Sequence, residues 1–181
     1  DVLVGDVWIV GGQSNAQGCG YVKDGPRAQR LVRAFYMDDR WRPAQDPIHN
    51  MWKTVDQVHI DLCGAVRPLK NMIIGTGPGV AFVQRLHQRT GIPQGVLACG
   101  HGGTSMAQWD PKLKNQGSKS LYGAMIRRVT KNGGKVAGAI WYQGESDADA
   151  SVAPLYTDRM KRLVASMRRD CRSRNMPFVL V

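Results

Sequence analysis

The sequence predicts an α/β fold, a three-layer sandwich with a mainly parallel central sheet and helices on both faces. Three observations carry that prediction. The apolar, β-branched runs Val7 to Val10, Gly95 to Cys99 and Val136 to Tyr142 are long enough for buried strands and too short for buried helices. Segments with helical spacing, at 77–91, 121–129 and 154–172, alternate with them. Each of the three strands also breaks into a glycine-rich or polar turn, and this alternation is the pattern of a sheet wound on both sides.

The first element is Val7-Trp-Ile-Val-Gly-Gly-Gln-Ser-Asn15, a strand that stops at two glycines and presents a serine between two amides. Gly11 and Gly12 allow backbone angles closed to other residues, so the chain can turn sharply at the strand's carboxyl end. If a helical turn follows, Ser14 lies at its amino end, where free N–H groups favour developing negative charge. That suits a nucleophile. For this motif in isolation, a serine that merely caps a helix is the commoner outcome.

Residues 18–26 are loop-like, Leu31 to Met37 forms a strand, Asp38-Asp39 turns, and Arg40 to Arg42 begins a return strand. Residues 43–77, with Pro47 and Pro68, have no clear period. The whole stretch 18–77 is therefore taken as an excursion from the core that either shapes a substrate cleft or is a passive insertion. A helix follows, with Pro78 near its start, Phe82, Val83 and Leu86 on one face and Gly91 as its stop. The next strand breaks into Gly100-His-Gly-Gly-Thr-Ser105, with Trp109 and Pro111 just beyond. Leu121, Tyr122, Met125 and Val129 mark another helix, closed by Asn132-Gly-Gly134. The strand at 136–142 ends in Gln143-Gly-Glu-Ser-Asp147, and Pro177 to Val181 opens a further strand after the basic helix.

The 181 residues, 43% of them hydrophobic, fit one domain spanning 1–181. No apolar run approaches the roughly 20 residues that span a bilayer, and the start lacks a secretory leader's basic-then-apolar pattern. The four cysteines show no zinc-site spacing, and neither a metal nor a cofactor is expected. A formal charge of +11 raises anionic partners. However, Arg159, Lys161, Arg162, Arg168, Arg169, Arg172 and Arg174 share a segment with Tyr156, Met160, Leu163, Val164 and Met167 at helical spacing. A solvated outer helix face explains them, so neither nucleic acid nor membrane is expected as a partner.

In a parallel sheet the carboxyl ends of the core strands lie on one side, so the three turns can converge there. Acyl transfer needs an activated nucleophile and donors aimed at an oxyanion. Ser14 can supply its Oγ and N–H, Gly103 a close backbone N–H, and Gln143 a side-chain amide. Glu145 is more readily a carboxylate that orders its loop than a catalytic group. His101, in the second turn, is the one histidine able to approach Ser14, and lining the pocket suits it better than acting as base. Trp41 and Trp109 offer flat faces for a sugar ring, although core packing claims at least one of them.

Gly-Gln-Ser-Asn at 12–15, Gly-Gly-Thr-Ser at 102–105 with Trp109, and Trp-Tyr-Gln-Gly-Glu-Ser at 141–146 together resemble the carbohydrate-esterase branch of the SGNH hydrolases. That branch holds the sialate O-acetylesterase-like proteins and the family 6 acetylxylan esterases. The resemblance also takes in Arg40-Trp41 and Gly77-Pro-Gly79. It implies an SGNH/flavodoxin-like sandwich and a serine esterase removing O-acetyl groups from sialic acid or acetylated polysaccharide through an acetyl-enzyme. Ser14 would be the nucleophile, flanked by Gln13 and Asn15. Ser14 N–H, Gly103 N–H and Gln143 would form the oxyanion hole, with Gly102 competing for the glycine role. A secreted or periplasmic location is implied as well. The family's Asp-x-x-His motif, placed near the carboxyl terminus, does not occur in that part of the chain, so the base is expected beyond Val181, on the expectation that the chain is truncated within its last strand. A carbohydrate-binding module that kept the cleft and lost the base is the alternative.

Overall fold

The computed structural model describes residues 2–64 and 75–181. Its sheet has six strands: β1 (Asp6–Gly12), β2 (Val32–Phe35), β3 (Trp41–Pro43), β4 (Gln94–Ala98), β5 (Gly138–Tyr142) and β6 (Phe178–Leu180). They lie in the order β3-β2-β4-β1-β5-β6. All pairings are parallel except β2 with β3, the hairpin that the sequence predicts around Asp38-Asp39. The expected α/β class is therefore the observed one. Pro68, in the stretch without a period, lies outside the described residues.

The helices are α1 (Ser14–Gln17), α2 (Gln57–Cys63), α3 (Pro78–Thr90), α4 (Leu121–Lys131) and α5 (Tyr156–Asp170). The side chains of β1 alternate between two cores, as the pleat requires. Ile9, with Phe35, Leu97 and Trp141, packs under Leu121, Met125 and Leu163 of α4 and α5, whereas Val10, with Ala34, Val96 and Ala98, packs under Val80 and Val83 of α3. Two covered faces make the three layers. On α5 the apolar Met160, Leu163 and Met167 are buried while Lys161, Arg162 and Arg169 are exposed.

The stop signals act through backbone chemistry. Gly91 takes the left-handed conformation (φ 70°), and its N–H donates to the His87 carbonyl at 2.8 Å. The Ser120 hydroxyl accepts from the Gly123 N–H at 3.1 Å, capping α4.

The excursion needs correction. Residues 32–43 are not outside the core but supply two strands of the sheet, because the hydrophobic row Val32-Ala34 pairs in parallel with β4. The stretch closes on itself where Gly75 N–H donates to Gly18 O (3.0 Å) and Gly20 N–H to Thr76 O (3.0 Å). Asp39, at φ 58°, is locked by Arg127 (2.7 Å) and the fully buried Arg128 (2.9 Å) of α4. Helix α2 and the 3-10 turns at 51–53 and 111–119 have no legible period, being too short to repeat one.

The double glycine of β1 has two separate causes. A Cβ on Gly11 would lie 2.8 Å from the Trp141 ring, whereas Gly12 adopts φ 122° and a Cβ there would stand 2.0 Å from the Tyr142 carbonyl oxygen. Gly12→Ala is accordingly expected to destabilise the fold by on the order of 3 kcal/mol. Urea unfolding measures this, and an unchanged midpoint would contradict the assignment.

Candidate active site

Strand β1 delivers Ser14 to the carboxyl edge of the sheet as the first residue of α1. The Cys19 thiol stands beside it, donating to Ser14 O at 3.1 Å and in side-chain hydrogen-bond reach of Ser14, and the Ser14 N–H has no acceptor among the described residues. As the first N–H of a helical turn, that donor points along the positive end of the backbone dipoles, although a helix of four residues carries only a small dipole. Ser14 is half-buried, so its hydroxyl can be reached.

All three turns meet there, as the sequence expects. Gln13 is the junction: its N–H donates to Tyr142 O (2.9 Å), and its Oε1 accepts from Ser146 N–H (3.2 Å) and from the Gln143 amide (3.3 Å). Asn15 Nδ2 donates to Glu145 Oε1 at 2.8 Å, so Glu145 ties its loop to α1. The second turn approaches from the β4 side. A Cβ on Gly102 would stand 3.7 Å from both Cα and Cβ of Ser14.

Two donors can now be told apart. Gly102 N–H is spent on Gln17 Oε1 at 2.7 Å. Gly103, exposed and at φ 70°, has an N–H without a partner among the described residues. At this edge Gly103 therefore keeps an unspent backbone donor and Gly102 does not.

Gln143 is brought to the site but not in the expected attitude. Its Nε2 has two hydrogens and three acceptors around it: Asp147 Oδ2 (2.7 Å), Thr104 O (3.1 Å) and Gln13 Oε1 (3.3 Å). Neither N–H is left for an oxyanion. Flipping the amide would set its oxygen against these acceptors, so the network fixes the orientation and leaves Oε1 buried without a donor.

The residue that sequence reasoning missed is Asp147. Only 2% exposed, it accepts from Met106 N–H (2.7 Å) and Gln143 Nε2 (2.7 Å) and pairs with Arg159 at 3.3 Å. It therefore joins the second turn, the third turn and α5. Its spacing of four from Gln143 was the available signal. Gln17, Thr104 and Tyr156 were missed too; the Tyr156 hydroxyl donates to Gln143 O at 2.6 Å.

Other expected site residues stand elsewhere. Trp109 is completely buried, its Nε1 donating to Thr104 Oγ1 at 3.0 Å, and it presents no face to a sugar. Trp41 lies at the opposite, amino edge of the sheet, its Nε1 on Asn132 Oδ1 at 2.7 Å. His101 turns away from the role of base. Its Nδ1 meets His59 Nδ1 at 2.8 Å, and the two rings stack at 5.0 Å. His49, also buried, accepts from Gly100 N–H at 3.0 Å.

Burial holds this histidine cluster neutral. Burial, with the Arg128 charge adding to it, pushes His49 down to about 3. Burial alone pushes His101 to about 4, and burial with the neighbouring His101 and Arg128 holds His59 well below the ordinary imidazole range. Each lowered pKa contributes stability that is complete above the unfolded value near 6.5 and is lost as pH falls toward the folded one. Asp46 works in the opposite sense: burial raises it to about 6, so its contribution is present at low pH and is lost as pH rises from about 4. Three protons against one leaves about two taken up on unfolding near pH 5, or on the order of 3 kcal/mol per pH unit. Urea midpoints at pH 7.5, 6 and 5 should fall steadily, and a flat series would contradict the neutral cluster.

Among the described residues, no group of three or more His, Cys, Asp or Glu side chains could hold a metal ion, and no helix is long and apolar enough to cross a membrane.

A six-stranded, mostly parallel sheet whose successive strand-end turns gather around Ser14 defines a doubly wound α/β domain. The family model for carbohydrate esterases described as sialic acid-specific acetylesterases matches residues 4–181, and the chain belongs to that family. A probable carbohydrate esterase of Arabidopsis thaliana is 29% identical over 197 residues, covering 97% of this chain and 67% of its own. The crystal structure of an Arabidopsis thaliana protein aligns with a TM-score of 0.74 at 27% identity over 96% of this chain and 72% of its own. A carbohydrate acetylesterase of Xanthomonas citri (TM-score 0.69, 23% identity, 97% of this chain and 41% of its own) and NanS (0.65, 17%, 99% and 68%) share the fold.

Proposed function

We propose that the protein is a serine esterase that removes O-acetyl groups from carbohydrate, sialic acid or acetylated polysaccharide, with Ser14 as nucleophile. The convergence of three strand-end turns on a half-buried serine whose N–H has no acceptor among the described residues is the observation that carries this reading. Ser14 Oγ attacks the acetyl carbonyl, its proton passes to a base, and the alcohol leaves with a proton returned to it. Water then cleaves the acetyl-enzyme to acetate and free serine. Ser14 N–H and Gly103 N–H face the oxyanion, while Gln143 holds Thr104 and Asp147 in place. None of the four histidines hydrogen-bonds Ser14 among the described residues, so none of them is assigned as its base.

The test is covalent labelling of the full-length protein with a fluorophosphonate. One adduct on the peptide carrying Ser14, formed in step with loss of acetate release, is expected. Full labelling of another serine would overturn the assignment. A non-catalytic carbohydrate-binding module is the second reading, favoured by the engagement of His49, His59 and His101 elsewhere, and it predicts no labelling at all.

A further inference from the structure

We propose that the cleft at the amino edge of the sheet is a second carbohydrate site, which binds a pyranose unit of a glycan chain and performs no chemistry. Only the choice of sugar as ligand rests on the esterase reading above. The cleft has a volume of about 520 Å³, and Asp6, Arg33, Trp41, Gln94, Gly95 and Asn132 are among its lining residues. Its floor is one level of the sheet, where Arg33, Gly95 and Val7 stand side by side on β2, β4 and β1. Counting along β1 from Asp6 to Ser14 at about 3.3 Å per residue puts it on the order of 20 Å from the nucleophile. A sugar held here is not the sugar being deacetylated.

Three features point to a pyranose. First, Trp41 is 40% exposed yet fixed, because its Nε1 is anchored on Asn132 at 2.7 Å and its ring packs on Phe35 at 5.4 Å. Its flat apolar surface is thus presented at little further cost in side-chain freedom, and such a surface complements the C–H face of a sugar ring. Second, the floor seats the indole that would carry the sugar. A Cβ at Gly95 would come within 2.9 Å and 3.1 Å of the indole, so the absence of a side chain there is what lets Trp41 lie across β4. Third, the polar groups suit vicinal hydroxyls, which both donate and accept. Asp6, half-buried, offers carboxylate acceptors. Arg33 anchors Nη1 on Arg30 O at 2.6 Å, while its Nε and Nη2 have no partner among the described residues. One anion beside one cation selects a hydroxyl-rich ring over a polyanion. Trp41 is also the sugar-stacking candidate that the active site does not use.

Calorimetry and indole N–H NMR on full-length Ser14→Ala, titrated with xylohexaose, test the proposal. Saturable binding that shifts the Trp41 indole resonance is expected. Trp41→Ala should weaken it at least tenfold and Arg33→Met about threefold, with p-nitrophenyl acetate turnover unchanged when either substitution stands in the Ser14 background. Arg33→Met carries the comparison if Trp41→Ala fails to fold. No saturable binding, an affinity indifferent to both substitutions, or shifts confined to the Ser14 turn would overturn it. Binding at Trp41 by a protein that hydrolyses no acetyl ester would sink the esterase reading and leave this site standing; turnover without such binding would do the reverse.

Discussion

Ser14→Ala in the full-length protein is expected to lower kcat for acetate release by about 10³-fold or more, with KM and thermal stability nearly unchanged. The size follows from losing the covalent path, since oxyanion donors and substrate binding leave only residual catalysis when the nucleophile is gone. The split follows from the structure. The polar side chain beside Ser14 is the exposed Cys19, whose thiol also reaches Ser14 O, so removing the hydroxyl leaves no buried partner unsatisfied and should shift stability by no more than about 0.5 kcal/mol. Acetate release from acetylated xylan and from O-acetylated sialic acid, measured for both proteins, decides the matter. Equal turnover by the two would end the serine mechanism, and a loss explained by unfolding would show in the melting curve.

Asp147→Ala is expected to have the second largest effect and of a different kind, lowering both stability and turnover. The carboxylate is the shared acceptor for Met106 N–H and Gln143 Nε2 and the partner of Arg159. Truncation leaves the buried Met106 N–H without an acceptor and Arg159 without its carboxylate, while Gln143 Nε2 keeps only Thr104 O and Gln13 Oε1; at about 1–3 kcal/mol for each unsatisfied group a loss of roughly 3 kcal/mol is expected. Because Gln143 also holds Thr104 O, the turn carrying Gly103 should drift with it. A displacement of about an ångström commonly costs 10²-fold in rate. Asp147→Asn separates the two effects: its oxygen can still accept one bond, so it should recover much of the stability while kcat stays depressed. If Asp147→Asn restored kcat fully, Asp147 would be structural only.

The α/β class, the order of elements and the three polar turns were legible in the sequence because each rests on local chemistry. A run of apolar β-branched residues closed by glycines has few conformations open to it, and a helix such as α3 announces itself by its spacing, its proline and its terminal Gly91. The family resemblance added the meaning of the turns, which no single turn carries. Short helices such as α2 gave no such signal, since a single face of two turns cannot repeat a period.

The candidate site was legible only in part, and the boundary has a physical reason. That Ser14, Gly103 and Gln143 share one edge follows from strand direction alone, which the sequence determined. How each polar group is spent depends on residues distant in the chain: Gln17 takes the N–H of Gly102, Asp147 and Thr104 take the amide of Gln143, and His59 takes the ring of His101. Tertiary packing likewise buried Trp109 under the second turn and carried Trp41 to the far edge, because a hairpin's pairing register, not its composition, decides where its indole lies. The sequence by itself determined the elements and the edge of the sheet where Ser14 emerges. The tertiary structure alone decided which donors there remain free, because hydrogen-bond partners are assigned by distance in space.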